Sequence, residues 1–270
     1  IVLTRNPNTS PSTLAPDIQV IGWDAKTGNG WSQQINAETV IVNLAGKNPA
    51  NWRWTSAHKQ AVLESRLNAA QAVIDAIEHA PAKPIAVMQA SAVGYYGETG
   101  DRITTEASPA GDTWRATVCV EWEAMMKPVE AQGVRVAYLR ISNVFDPAGG
   151  ALPQFMNAAN LMGRQLGDGE QWVPWIHKED VSRAIAYLID HPDLSGVFNL
   201  TSPEPVTNRT LMQTLTRVMG RPSIFPVPSF ALKLALGEMA KVMLDSQRTV
   251  PQRLTESGIE YAFPTLETAP

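Results

Sequence analysis

The chain has 270 residues, 44% of them hydrophobic, with 22 Lys+Arg against 26 Asp+Glu, a formal net charge of −4 and a single cysteine. A length of this order suits one long α/β domain or two smaller ones sharing a core. The acidic balance lays no basic field over the surface and excludes a nucleic-acid partner; the lone thiol, Cys119, can form no internal disulfide and fits a reducing, cytoplasmic compartment; and no run of uncharged apolar residues is long enough for a membrane span.

Short runs rich in Val and Ile predict strands at 1–4, 18–23, 39–45, 85–90 and 134–141, of the kind buried on both faces of a sheet. Between the third and fourth, residues 56–79 have helical period: Leu63, Leu67, Ala70, Ile74 and Ile77 recur in steps of four, three, four and three on one face. A second helix is predicted over 112–132, with Asp112 or Thr113 at its cap and Pro128 kinking its last turns. Strand-then-helix alternation implies a doubly wound α/β fold with a parallel sheet. After about residue 146 the rhythm changes. A Gly/Pro-punctuated stretch, 146–169, leads to a strand-like run at 172–177, and a helix follows in which Val181, Ala184, Ile185, Leu188 and Ile189 share a stripe. A strand is predicted at 197–201, Thr207 is placed as an N-cap, and helical patterns at 211–219 and 229–244 follow with no strand run among them. A smaller, mainly helical C-terminal lobe is expected, with the ligand crevice at the carboxyl ends of the strands.

Several residues carry possible chemistry. Arg5 closes the first strand, where an arginine can accommodate the 2′-phosphate of NADP(H) or simply be a solvated loop residue. Asn43-Leu44-Ala45-Gly46 ends the third strand; it either lets backbone approach a ligand closely or is a turn that needs a glycine. Ser91, followed by Tyr95 and Tyr96, sits at the end of the fourth strand. There a serine can polarise a carbonyl and a tyrosine exchange its proton, although paired tyrosines also finish cores. His177 stands at a strand-to-helix junction, fixed by hydrogen bonds at the helix start or catalytic. No P-loop, zinc or Ser-His-Asp signature is present.

Taken together the motifs resemble the epimerase-like atypical short-chain dehydrogenase/reductases, close to the NAD-dependent epimerase/dehydratase group, with a distinctive C-terminal domain. The matching pieces include Leu3-Thr4-Arg5-Asn6-Pro7, Val42-Asn43-Leu44-Ala45-Gly46, Arg53-Trp54-Thr55, Ser65-Arg66, the run from Ser91 to Gly97, Trp122-Glu123, Gly167-Asp168-Gly169-Glu170-Gln171, and Trp175-Ile176-His177 with Asp180. The tail agrees in Asn199-Leu200, Thr207-Asn208, Arg221-Pro222, Pro226-Val227-Pro228, Gly237-Glu238 and Pro251-Gln252-Arg253-Leu254. The resemblance implies a Rossmann-type domain over 1–146 and 172–200 that binds NADP(H), and a substrate lobe over 147–171 and 201–270. It places Thr4 and Arg5 at the adenosine 2′-phosphate, Leu44, Ala45 and Gly46 beneath the cofactor with Asn43 counted among the cofactor-binding residues, Arg66 near it, and Ser91 and Val144 at the nicotinamide end.

Two departures from the family pattern stand out. No tyrosine has a lysine four residues later, and if Glu123 keeps register, Arg115 and Cys119 take the two places of the usual Tyr/Lys pair. The Gly-x-x-Gly-x-x-Gly turn that neutralises the pyrophosphate is also absent, so that an opening β-α unit of about 30 residues is expected to be missing and the chain to be a fragment. The leading expectation is an NADP(H)-dependent epimerase-like oxidoreductase acting on a small molecule such as a nucleotide sugar. Its competitors are a nucleotide-binding regulatory or scaffold protein without turnover, and a remnant that binds no dinucleotide.

Overall fold

Each of the five Val/Ile-rich runs becomes a strand in the computed structural model, which describes residues 1–9, 14–49, 54–162, 165–220, 229–230, 234, 237 and 240–269. They are β1 (Val2–Thr4), β2 (Val20–Gly22), β3 (Val40–Asn43), β4 (Ala86–Ala92) and, after a two-residue strand β5 (Ile103–Thr104), β6 (Arg135–Ile141). The first helix, α1 (Ser56–Glu78), stands where its period placed it. The second breaks in two, α2 (Trp114–Ala124) and α3 (Lys127–Ala131). Pro128 does not kink a continuous helix; it occupies the first turn of α3, where its missing N–H costs nothing, and the break falls before it. Of the two proposed caps, Thr113 acts: its Oγ1 accepts the Ala116 N–H at 3.2 Å.

Beyond β6 come β7 (Asn143–Asp146), β8 (Gly149–Gly150), α4 (Leu152–Met162), β9 (Trp172–Val173), β10 (Trp175–His177), α5 (Lys178–Asp190), β11 (Gly196–Leu200), β12 (Val206–Thr207), α6 (Asn208–Val218), α7 (Ala240–Leu244), β13 (Arg248–Thr249) and α8 (Gln252–Ser257). Two expectations are corrected here. The punctuated stretch contains the helix α4, whose Pro153 stands in the first turn and whose Phe155, Ala158 and Ala159 are buried. A strand does exist after residue 207: β13 pairs parallel with β5, and the hydroxyls of Thr104 and Thr249 meet at 2.9 Å. Thr207 caps α6 as expected, accepting from the Thr210 N–H. Much of the predicted helix at 229–244 lies outside the described residues, as do Arg53, Arg221, Pro222, Pro226, Val227, Pro228 and Glu238.

The main sheet has four strands in the order β11-β6-β4-β3, with helices in the connections, and β3 runs parallel to β4, Val40 opposite Ala86 and Asn43 opposite Gln89. β1 pairs parallel with β2. The expected parallel α/β sheet with flanking helices is therefore present.

The chain divides into two compact units. The first comprises Ile1–Pro49, Ser56–Ala90 and Glu121–Tyr138. In it α1 packs on β3, on α3 and on the 3-10 turn Ser32–Gln34. Its buried face is wider than the predicted stripe: Val62, Ala69, Val73 and Ala76 lie beside Ala70, Ile74 and Ile77, while Leu63 and Leu67 are half-buried. Alanines along that face allow close backbone approach, and each fully buried Val or Ile contributes about 1.5–3 kcal/mol. The second unit comprises Ala50–Thr55, Ser91–Val120 and Leu139–Pro270. Its core is aromatic, with Phe145 edge-on to Phe155 at 5.7 Å and stacked on Trp175 at 5.5 Å, closed by Val173, Leu211 and Met212. Among the described residues no helix is long and apolar enough to cross a membrane.

Candidate functional site

In the first unit the candidate residues gather at the ends of β1 and β3. Thr4 Oγ1 accepts the Asn6 N–H at 3.3 Å and turns the chain after β1. Arg5 is exposed there, and its guanidinium has no partner among the described residues. At the end of β3, Asn43 is buried, donates from Nδ2 to Gln89 Oε1 at 3.0 Å and accepts the Ala45 N–H on Oδ1 at 3.2 Å. This Asx turn bends the chain at Leu44, which is exposed. The loop is then tied to α1: the Lys47 N–H donates to Ser65 Oγ at 2.9 Å, and Arg66 Nη1 donates to the carbonyls of Lys47 and Val62, each at 3.0 Å. The Gly46 N–H makes no hydrogen bond among the described residues. A cavity of about 920 Å³ is lined by β1, through Val2 and Leu3, by β3, through Val42 and Asn43, and by Leu44 and Ala45 of the loop.

The second unit holds the serine and the tyrosines. Ser91 is buried near the end of β4, and the chain continues into the 3-10 turn Val93–Tyr96. Gly97 follows at φ 67°, ψ −149°, a region open in practice only to glycine. Against it runs Gly111, whose N–H donates to the Tyr95 carbonyl at 2.9 Å. The rings of Tyr95 and Tyr96 are edge-to-face, 5.4 Å apart. Arg140, buried near the end of β6, binds both: its Cζ lies 3.3 Å from the centre of the Tyr95 ring, and its Nη1 donates to the Tyr96 hydroxyl at 3.0 Å. The Tyr96 hydroxyl donates to Asn199 Oδ1 at 2.6 Å, and the Asn199 N–H donates to Glu106 Oε1 at 3.0 Å. Burial pushes the Glu106 carboxyl above the usual range, opposed by that N–H.

This network separates two residues that the sequence left equivalent. Tyr96 is buried and its hydroxyl is fully engaged; burial pushes it up to about 12, with the Arg140 guanidinium partly offsetting the shift. Tyr95 is half-buried, and its hydroxyl makes no hydrogen bond among the described residues. Because the folded state holds Tyr96 neutral up to about 12, its contribution is complete below pH 10 and is lost as pH rises from 10 through 12. Tyr96→Phe leaves Asn199 Oδ1 and an Arg140 N–H without this partner and is expected to cost about 1–3 kcal/mol at pH 7. Urea midpoints at pH 7, 9 and 10.5 check this: the gap from wild type should be constant up to pH 9 and narrower at 10.5.

Val144, in β7, pairs with Ile176 of β10, and its carbonyl accepts the Ala151 N–H at 2.8 Å. Arg115 and Cys119 both stand on α2 and both have partners. Arg115 is ion-paired to Asp245 at 2.6 Å, and the buried Cys119 thiol donates to the Ala92 carbonyl at 3.6 Å. His177 is fixed at the helix start: it caps α5 by accepting the Glu179 N–H, with its ring 4.0 Å from that of Phe263. Among the described residues no group of three or more His, Cys, Asp or Glu side chains is placed to hold a metal. Sequence reasoning missed Arg140 and gave Asn199 no role beyond its place in the family resemblance, although each breaks an apolar strand with a polar residue, the signal that would have drawn attention to them.

The family model described as the NAD dependent epimerase/dehydratase family matches residues 1–201, and one described as a domain of unknown function (DUF1731) matches 227–269. The chain is 38% identical over 242 residues to the chloroplastic epimerase family protein SDR39U1 homolog of Arabidopsis thaliana, covering 88% of this chain and 69% of that protein. It is 36% identical over 270 residues to epimerase family protein SH2119 of Staphylococcus haemolyticus, covering 99% and 88%. Among solved structures, human epimerase family protein SDR39U1 (isoform2) with NADPH aligns with a TM-score of 0.83 at 28% identity, covering 99% of this chain and 88% of that one. The dTDP-glucose 4,6-dehydratase DesIV of Streptomyces venezuelae, at 18% identity and a TM-score of 0.69 over 96% of this chain and 78% of that one, shares the Rossmann-type fold.

Proposed function

The chain belongs to the NAD dependent epimerase/dehydratase family, and from that premise we propose that it binds NADP(H) and acts as an epimerase-like oxidoreductase on a small molecule, a nucleotide sugar being the class to test first. The observation that carries the cofactor reading is Arg5: an exposed guanidinium at the end of β1, without a partner among the described residues, on a fold similar to that of a protein crystallised with NADPH. The residues present suit the ends of the dinucleotide. Thr4 and Arg5 offer a hydroxyl and a cation to a 2′-phosphate, Asn43, Leu44, Ala45 and Gly46 form a backbone shelf, and Arg66 braces it. Ser91 and Val144 are assigned to the nicotinamide end. On this reading residues 1–146 and 172–200 bind the dinucleotide, while 147–171 and 201–270 shape the substrate side.

In the reaction the bound nicotinamide supplies hydride chemistry. Ser91 orients the substrate carbonyl, and of the two tyrosines Tyr95 is the proton-exchanging group, because its hydroxyl makes no hydrogen bond among the described residues; Tyr96 holds Arg140 against the Tyr95 ring. A second reading, a nucleotide-binding protein without turnover, is favoured by the commitments of α2: if Glu123 keeps register with the family, the Tyr/Lys places are those of Arg115, ion-paired to Asp245, and Cys119, a buried thiol on the Ala92 carbonyl. Incubating the NADP⁺-loaded protein with nucleotide sugars and alcohols separates the two. Reduced-nicotinamide absorbance or epimer formation should appear with some substrate and fall by about 100-fold on Ser91→Ala, in the range of one lost carbonyl-polarising donor. Tight NADPH binding with no turnover across the panel supports the second reading.

A further inference from the structure

The loop after β3 is held from three directions, by Asn43 on the Ala45 N–H, by Ser65 on the Lys47 N–H and by Arg66 on the Lys47 carbonyl. The third holder is a long side chain with many rotamers, and it orders a carbonyl only if its own guanidinium is ordered. Three of its contacts serve this end. Nη1 also donates to the Val62 carbonyl at 3.0 Å; the arginine stem lies along Gly46, where an added Cβ would already touch Cγ and Cζ at 3.4 Å; and Cζ lies 5.0 Å from the ring centre of Trp122. Trp122 stands in the last turn of α2 and is 5% exposed. Its indole N–H is buried with no partner among the described residues, so hydrogen bonding does not account for a tryptophan at this position. What the residue offers Arg66 is its electron-rich face, which attracts a guanidinium within about 6 Å.

Resting on the reading that this loop lies beneath the dinucleotide, we infer that Trp122 is a positioning residue for the cofactor loop. Its ring holds the Arg66 guanidinium, and through it the Lys47 carbonyl and residues 44–47, in the geometry that receives the cofactor. Arg66 then acts as a strut and does not read the 2′-phosphate. The whole arrangement lies within the first compact unit.

The test uses the full chain and two independent readouts, NADPH and NADH titration by fluorescence, and hydrogen exchange at the Lys47 amide without cofactor. Trp122→Leu is expected to raise the dissociation constants of both nucleotides by a common factor of about 5–20, and to speed Lys47 exchange by a similar factor while the buried amides of β4 keep their rates. Trp122→Phe keeps an aromatic face and should stay within about twofold of wild type on both readouts. Unchanged Lys47 exchange in Trp122→Leu overturns the inference, as does equal acceleration of every amide or a Phe variant as damaged as the Leu variant. A wild-type chain that binds neither nucleotide refutes the cofactor assignment, and the exchange readout then decides the role of Trp122 in the loop.

Discussion

Gly111→Ala is expected to destabilise the protein by about 2–4 kcal/mol and to disturb the tyrosine pair directly. A Cβ on residue 111 would stand 2.5 Å from the Tyr96 carbonyl oxygen and 2.8 Å from both the Gly97 Cα and the Tyr96 carbonyl carbon. All three are backbone atoms, so no side chain can rotate away and one of the two strands of chain must move. Movement breaks the Gly111 N–H to Tyr95 carbonyl bond, 2.9 Å long, and pulls Gly97 from a backbone region in which no other residue is at ease. Gly149→Ala supplies the control, since a Cβ there meets nothing within 4 Å, and it should lie within about 0.5 kcal/mol of wild type. Urea or thermal unfolding of the two variants side by side checks the prediction; equal stabilities would mean that the crossing of Gly97 and Gly111 is not as tight as drawn. Under the proposed function the same change should depress turnover, because Tyr95 and Tyr96 hang from the turn that moves.

The parts of this molecule legible in the sequence are those with a long period. α1 and α5 each carry a repeated stripe over several turns, and β3, β4 and β6, of four, seven and seven residues, are mostly apolar. α4 was hidden by the glycines and proline on either side of it, although Pro153 at a first turn starts a helix as readily as it ends one. β13 is two residues long, too short for any period, and exists because β5 offers it a partner. The site divides the same way. Arg5 and the Asn43 to Gly46 turn follow from local rules about what ends a strand. The distinction between Tyr95 and Tyr96 depends on Arg140 and Asn199, distant in sequence, and no local rule could have supplied it.

Arg5→Ala is expected to weaken NADPH binding by about 10- to 150-fold while leaving NADH binding within about twofold. Charge-assisted hydrogen bonds from a guanidinium to a phosphate contribute about 1.5–3 kcal/mol, and each 1.4 kcal/mol is tenfold in affinity. NADH lacks the phosphate, so the residue has nothing to lose on it. The fold itself should be unaffected, because Arg5 is exposed and has no partner among the described residues. Arg5→Lys keeps the charge but not the planar fork, and should recover only part of the NADPH affinity. Screening adds a second signature: the NADPH preference of the wild type should shrink as salt is raised from 0.05 to about 0.5 M, and that of the alanine variant should not. Parallel titrations with both nucleotides decide the matter. If Arg5→Ala weakens NADPH and NADH equally, the arginine supports the loop and does not read the phosphate; if it weakens neither, the 2′-phosphate is bound elsewhere, and the end of β1 loses its place in the site.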